Sequence, residues 1–386
     1  MGHTDPAAIT ANATLPTSTA LPKRGCRVAP WHVHVKSLLA TAIDPRILFH
    51  LGLVLGDNVL PRLVAGNPRQ KETHEMASKQ SEANKKHYET LMTHAQNGEQ
   101  LSPEEAAAWN DAEWTKLTAE PGGVDFLEVE VGGRPALWIV PKGAVHDRVI
   151  FYIHGGGFVG GSIYTHRKMI AHLAKATGCR ALAISYDYVY QGRHYPAQRN
   201  QAVDAYRWLL DQGIEPRHIA GAGDSAGVTI LFGALLVSRD RGLPLPAAII
   251  SISGWYDMAA AGASYQSNSQ KDLFFQKGTV EWLAGMVLAG VDPRDPYASP
   301  LYADVTGFPP IFLQAGGDET LLDDSLVFAE RARTAGVDVR IDVFPRMLHS
   351  FQMLAGRAPE ADDAIGRFAA WVRPKLGLPE AESNAS

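Results

Sequence analysis

Gly223-Asp224-Ser225-Ala226-Gly227 sets a hydroxyl between two glycines, directly after a short apolar run and directly before residues 228–238, where Leu231, Leu235 and Leu236 recur at helical spacing. A strand that turns sharply into a helix at a serine leaves its hydroxyl standing clear of the backbone, at the positive end of the new helix. The flanking glycines give the neighbouring chain room to cross closely. A serine hydroxyl is a weak nucleophile and needs a base that a third group orients. Of fourteen histidines, His349 has the most suitable position, in Pro345-Arg346-Met347-Leu348-His349-Ser350-Phe351, a loop between the last strand pattern and the last helix pattern. His166, His172, His194 and His218 fall on helix faces or at element ends and read as structural or surface residues. The acid lies within residues 316–324, Gly-Gly-Asp-Glu-Thr-Leu-Leu-Asp-Asp, where Asp318 and Glu319 are both open candidates and Asp323 and Asp324 read as charges at the start of the next helix.

A second constellation is His154-Gly155-Gly156-Gly157-Phe158, at the end of an apolar run over residues 149–153. Three successive glycines let backbone N–H groups turn inward. An acyl-transfer intermediate needs such donors for its oxyanion, each worth about 3–4 kcal/mol of barrier. The N–H groups of Gly156, Gly157 and Ala226 form the natural set. A dinucleotide-type fingerprint can be forced onto Gly155, Gly157 and Gly160, but it leaves the serine pentapeptide unexplained. The order serine, acid, histidine is that of an α/β-hydrolase triad.

The elements that must position these groups follow from periodicity. Apolar runs at 124–131, 135–140, 149–153, 181–186, 247–253, 310–315 and 337–344 read as strands, the first two forming a hairpin about Gly132-Gly133. Helical patterns at 165–177, 197–211, 321–335 and 361–372 alternate with them, which argues for a mostly parallel sheet covered on both faces. Residues 260–302 separate two strands by far more than one helix requires and read as a cap insertion over the site. Residues 1–30 are Ala/Thr/Pro-rich and read as a flexible leader without a secretion signal; residues 31–121 read as a helical region contributing to the cap, ending at Pro121-Gly122-Gly123. Within that region Ser102-Pro103-Glu104-Glu105 is a capping-box helix start. The catalytic domain is expected over residues 122–386.

The chain has 386 residues, 46% hydrophobic and 20% charged, with a formal charge of −5, which suits a soluble globular protein with a large core, and nothing points to a nucleic-acid surface. Asp44, Arg46, His50, Asp57 and Arg62 interrupt the leucine-rich stretch 37–64, so no stable membrane insertion is expected. Trp31-His32-Val33-His34 pairs two histidines, but no carboxylate or cysteine beside them completes a ligand set, and no metal is expected. Two cysteines, Cys26 and Cys179, exclude a disulfide framework and suit a cytoplasmic location.

These motifs together resemble the bacterial hormone-sensitive-lipase-like esterases of the α/β-hydrolase superfamily. The resemblance runs from about residue 126 to 371. It rests on His154-Gly155-Gly156-Gly157-Phe158, Gly223-Asp224-Ser225-Ala226-Gly227, Leu321-Leu322-Asp323-Asp324-Ser325 and His349-Ser350-Phe351. It implies an eight-stranded, mostly parallel sheet flanked by helices under a helical cap, with nucleophile Ser225, base His349 and an oxyanion hole from Gly156, Gly157 and Ala226. Relatives carry an Asp-Pro-Leu-x-Asp pattern whose first residue orients the histidine, and Glu319 takes that place here, with Asp318 the close alternative. His154 then shapes the loop. No cofactor is implied, the partner is a small-molecule ester, and a homodimer is possible. The sequence departs from the family at Asp187-Tyr188-Val189-Tyr190-Gln191, where relatives usually have Arg-Leu-Ala-Pro-Glu, so substrate preference does not carry over. Phe158, Tyr188, Trp255, Phe274, Phe275 and Met347 are the candidates for the acyl pocket, each also explicable as core.

The expected reaction is hydrolysis of short- to medium-chain carboxylic esters through an acyl-enzyme. The same triad acting on a lactone, amide, carbamate or acetylated molecule is the alternative. A non-catalytic ligand-binding protein on this fold, of the kind the plant gibberellin receptors represent, lacks a working histidine position, whereas His349 is present.

Overall fold

In the computed structural model, residues 77–97, 102–272 and 274–380 are described. The leader, Trp31-His32-Val33-His34, Cys26 and the leucine-rich stretch 37–64 lie outside them. Two helices come first, α1 (Lys79–Asn97) and α2 (Pro103–Trp114). The second starts at the expected capping box: the Glu105 N–H donates to Ser102 Oγ, and the Ser102 N–H donates to the Glu105 carboxylate.

The sheet and its helices then alternate along the chain. They run β1 (Val124–Val131), β2 (Arg134–Pro141), β3 (Val145–Ile153), α3 (Ile163–Thr177), β4 (Cys179–Ile184), α4 (Ala197–Asp211), β5 (Ile219–Asp224) and α5 (Ala226–Asp240). After these come β6 (Ala248–Ile252), α6 (Ser264–Ser267), α7 (Lys277–Leu288), β7 (Ile311–Gly316), α8 (Leu322–Thr334), β8 (Val339–Phe344) and α9 (Pro359–Lys375). One eight-stranded sheet has the order β1-β2-β4-β3-β5-β6-β7-β8. The β1/β2 hairpin and the β2/β4 pair are antiparallel, and every other pair is parallel. Every residue of β5, β6 and β7 is buried, because helices cover both faces of a parallel sheet and leave no wet side to alternate towards.

Two hydrophobic cores result. On one face α4, α5 and α8 bury Val203, Leu231, Phe232 and Phe328; on the other α3 and α9 bury Met169, Ile170, Phe368 and Val372. The parallel strands all point their C-terminal ends the same way, and the glycine loop after β3, the serine turn after β5 and the acidic loop after β7 gather along that edge. The histidine loop after β8 reaches the same place. The crossover from β6 to β7 carries α6 and α7, the segment whose excess length marked it in the sequence.

Candidate active site

β5 passes into α5 at Ser225, a non-glycine residue held at φ 51° and ψ −124°. That left-handed conformation costs about 1–3 kcal/mol, and the surroundings enforce it. A Cβ on Gly227 would lie 2.1 Å from the Ile153 carbonyl oxygen, and one on Gly223 would lie 3.0 Å from the same atom. The two motif glycines therefore let the turn press against the end of β3. Ser225 donates its N–H to Ile252 O (3.0 Å) and accepts at its carbonyl from Trp255 N (3.2 Å), so the turn after β6 grips the serine from both sides.

The acid loop is folded onto the base loop. Gly317 N donates to Phe344 O (2.8 Å) and Asp318 N to Met347 O (3.1 Å). A Cβ on Gly316 would sit 2.3 Å from Met347 O, so a glycine is needed where the two loops touch. Between them Glu319, fully buried, places Oε2 2.9 Å from His349 Nδ1 and accepts at Oε1 from Gly316 N (3.1 Å). A carboxylate can only accept, so Nδ1 carries the proton and Nε2 keeps its lone pair, the tautomer a general base requires. His349 Nε2 is buried with no protein partner. Asp318, the other acid candidate, faces outward and pairs with Lys271 at 3.3 Å. The next residue, Ser350, donates its N–H to Ser253 Oγ (2.9 Å), in the same turn after β6 that holds the serine.

The glycine loop is built from backbone that a side chain would not allow. Gly156 has φ +120° and Gly157 φ +62°, and a Cβ on Gly156 would overlap Gly160 O at 1.9 Å. Among the described residues no hydrogen bond engages the N–H of Gly156 or Gly157. Ala226, the first residue of α5, has an N–H with no acceptor inside its own helix. His154 is buried and stacked on Tyr186, with its Nδ1 2.7 Å from Gly155 O and its Nε2 unpartnered. Burial holds its pKa down to about 3, so it is neutral and structural.

Asp224, inside the serine motif, is the hub that sequence reasoning missed. Its Oδ1 accepts from Tyr152 Oη (2.9 Å) and Gly155 N (3.0 Å), and its Oδ2 lies 3.3 Å from His166 Nε2. His166 Nδ1 faces the Ser162 carbonyl at 3.2 Å, so both ring nitrogens meet acceptors and both carry protons. Burial alone would lower the His166 pKa, but the Asp224 carboxylate outweighs it and raises it; burial likewise works against ionised Asp224, and His166 holds it below the usual carboxylate range. A buried imidazolium–carboxylate pair thus fixes the first residue of the glycine loop. The motif in the sequence contained Asp224, but nothing in the spacing pointed from it to His166.

The pocket candidates divide. Phe158 and Trp255 meet edge to face at 6.1 Å, and Tyr188 packs against Tyr186 and donates its hydroxyl to Gly161 O. Val189 N, in the stretch that departs from the family, donates to Phe158 O (3.1 Å), so that stretch braces the glycine loop from outside. Phe275 meets the His349 ring edge-on at 4.4 Å, and Phe274 stacks on Tyr88 of α1 at 5.3 Å. Met347 does not join them. It packs with Phe344 and Phe351 in the α9-side core, because its carbonyl is turned to the acid loop and its side chain goes beneath. Asp323 and Asp324 lie in the first turn of α8, as expected, but their side chains serve the crossover: Asp323 accepts from Ser264 N, and Asp324 from Tyr256 N and Asp257 N. Leu283 of α7, one of the apolar residues of the segment read as a cap insertion, comes within 3.1 Å of where a Cβ of Gly157 would stand.

A sequence model of the α/β-hydrolase fold matches residues 150–353. The acetyl-hydrolase of Streptomyces hygroscopicus is 36% identical over 74% of this chain and 94% of its own length. The ethyl acetate hydrolase of Pseudomonas putida is 30% identical over 58% and 71%. A crystal structure of an esterase from the bacterial hormone-sensitive lipase family superposes with a TM-score of 0.74 at 37% identity, covering 78% of this chain and all of that one. The chain belongs to the α/β-hydrolase-fold family, among its bacterial hormone-sensitive-lipase-like members.

Proposed function

We propose that the protein hydrolyses small carboxylic esters with Ser225 as nucleophile, His349 as base and Glu319 as its orienting acid. Ester hydrolysis of the carboxylesterase type follows from the family to which the chain belongs. The observation that carries the assignment of residues is the buried Glu319–His349 pair, which leaves Nε2 without a partner among the described residues, while residues 252–255 are bonded to both Ser225 and Ser350.

In this reading His349 Nε2 takes the Ser225 proton as Oγ attacks the ester carbonyl. The oxyanion accepts from the N–H groups of Gly156, Gly157 and Ala226. His349 then gives the proton to the departing alcohol, and a water activated by the same nitrogen releases the acid. Acyl groups are short to medium in this reading, as the acetyl-hydrolase and ethyl acetate hydrolase relatives suggest, with Leu283 beside Gly157 as the candidate limit. No described helix is long and apolar enough to cross a membrane. Cys179 is a buried free thiol, which suits work in the cytoplasm.

Turnover of p-nitrophenyl esters from acetate to palmitate, by wild type and Ser225→Ala side by side, tests the proposal. Fast hydrolysis of the short esters that Ser225→Ala abolishes is expected; equal activity in the variant refutes the assignment, and turnover confined to lactones or amides would move the substrate class.

A further inference from the structure

Tyr88 of α1 is 1% exposed and lies 261 residues before His349, yet its hydroxyl donates to the His349 backbone carbonyl at 2.6 Å. Its ring stacks on Phe274 (5.3 Å, 27°) and tilts against Trp114 (5.5 Å, 50°). Phe274 meets Phe275 edge to face (4.6 Å), and Phe275 meets the imidazole of His349 (4.4 Å). One helix therefore reaches the histidine twice, through its carbonyl and, by way of two phenylalanines, at its ring. The helix is itself tethered: Glu360 at the start of α9 accepts from Ser78 N (2.7 Å), Ser78 Oγ (2.8 Å) and Ser81 Oγ (2.9 Å). Ser81 and Tyr88 are two helical turns apart, about 10 Å, so α1 is pinned to α9 at its start and to the histidine loop at its middle.

We infer that Tyr88 is a positioning residue for the base, and that α1 belongs to the acyl-transfer machinery through this one hydroxyl. The inference rests on the reading of Ser225, His349 and Glu319 given above. His349 sits in a loop whose next residue, Ser350, is held at φ +51°, a strained backbone that relaxes when a restraint is removed. Without the Tyr88 hydroxyl, the His349 carbonyl is buried with no donor from α1, and the loop shifts to find one. The imidazole moves with it, away from the fixed Glu319 Oε2. A displacement approaching 1 Å at a reacting group lowers turnover by one to two orders of magnitude.

Tyr88→Phe removes the hydroxyl and keeps the ring stack, and Leu91→Ala weakens the same apolar cluster without touching the hydrogen bond. With p-nitrophenyl butyrate, Tyr88→Phe is expected to lower kcat about tenfold or more with KM within twofold of wild type. The acid limb of its kcat/KM profile, which reports the base that takes the Ser225 proton, should move with it. Leu91→Ala should lower Tm and leave kcat and the pH limb in place. If Tyr88→Phe matches wild type in kcat and pH profile, or if both variants change only Tm, the inference is overturned. Ser225→Ala run alongside keeps the two questions apart: activity surviving in that variant refutes the functional reading itself, whereas its loss beside an unaltered Tyr88→Phe refutes only the role of Tyr88.

Discussion

Replacing Asp224 by asparagine removes one negative charge from a carboxylate that three buried donors share. In the wild type those donors are Tyr152 Oη, Gly155 N and the His166 imidazolium. An amide oxygen can keep Tyr152 and Gly155 as neutral bonds, each losing roughly 0.5–1.5 kcal/mol of charge assistance. The amide NH₂ then faces His166 Nε2, which must give up its proton to accept, and the ion pair is gone. Breaking a buried pair typically costs about 3–5 kcal/mol, reduced here because the imidazole can neutralise itself, so a loss near 3 kcal/mol is expected at pH 6.

The sign with pH follows from the two directions. His166 is raised above its ordinary 6.5, so its contribution is full below that value and lost as pH climbs through its folded pKa. Asp224 is lowered below its ordinary 3.8, so its contribution is full above that value and lost only in strong acid. The gap between wild type and variant is therefore widest between about pH 4 and 6.5 and narrows towards pH 9. Urea unfolding of both proteins at pH 6 and pH 9 measures it. A gap under about 1 kcal/mol at pH 6, or one that widens towards pH 9, would refute the imidazolium assignment.

Glu319→Gln should leave the fold intact and cut kcat by about 10²–10⁴-fold by favouring the wrong imidazole tautomer, measured as steady-state ester hydrolysis. Gly227→Ala places a methyl 2.1 Å from the Ile153 carbonyl, a backbone atom that cannot turn aside; a loss of about 3 kcal/mol or more in a denaturant melt, or failure to fold, is expected. Leu283→Ala removes the α7 side chain nearest Gly157 and should shift the ratio of kcat/KM for octanoate over acetate esters upward by about tenfold; an unchanged ratio would place the acyl limit elsewhere.

The parts of this molecule that were legible in the sequence are those whose physics is local. Strand and helix patterns located the sheet elements, and the turn glycines marked both the serine turn after β5 and the glycine loop after β3. At the edges the reading was short: β3 begins at Val145, because its polar first residues continue the strand beyond the buried run. Which of Asp318 and Glu319 faces His349 needed burial, since these adjacent carboxylates point to opposite sides of a tight turn and only the structure shows which side is inside. Met347 misled for a similar reason, as its neighbourhood to His349 in sequence says nothing about which core its side chain enters. Asp224–His166 and Tyr88–His349 join residues 58 and 261 positions apart, and no periodicity reaches across such distances.

The turn after β6 also bears on how the enzyme ages under heat. Ile252 O and Trp255 N hold Ser225, while Ser253 Oγ holds Ser350 beside His349, so both segments hang from four consecutive residues. Thermal inactivation should therefore coincide with breakage of that turn. Leu283 of α7 lies outside these four residues, so a change there alters the surroundings of Gly157 and leaves the bonds to Ser225 and Ser350 in place.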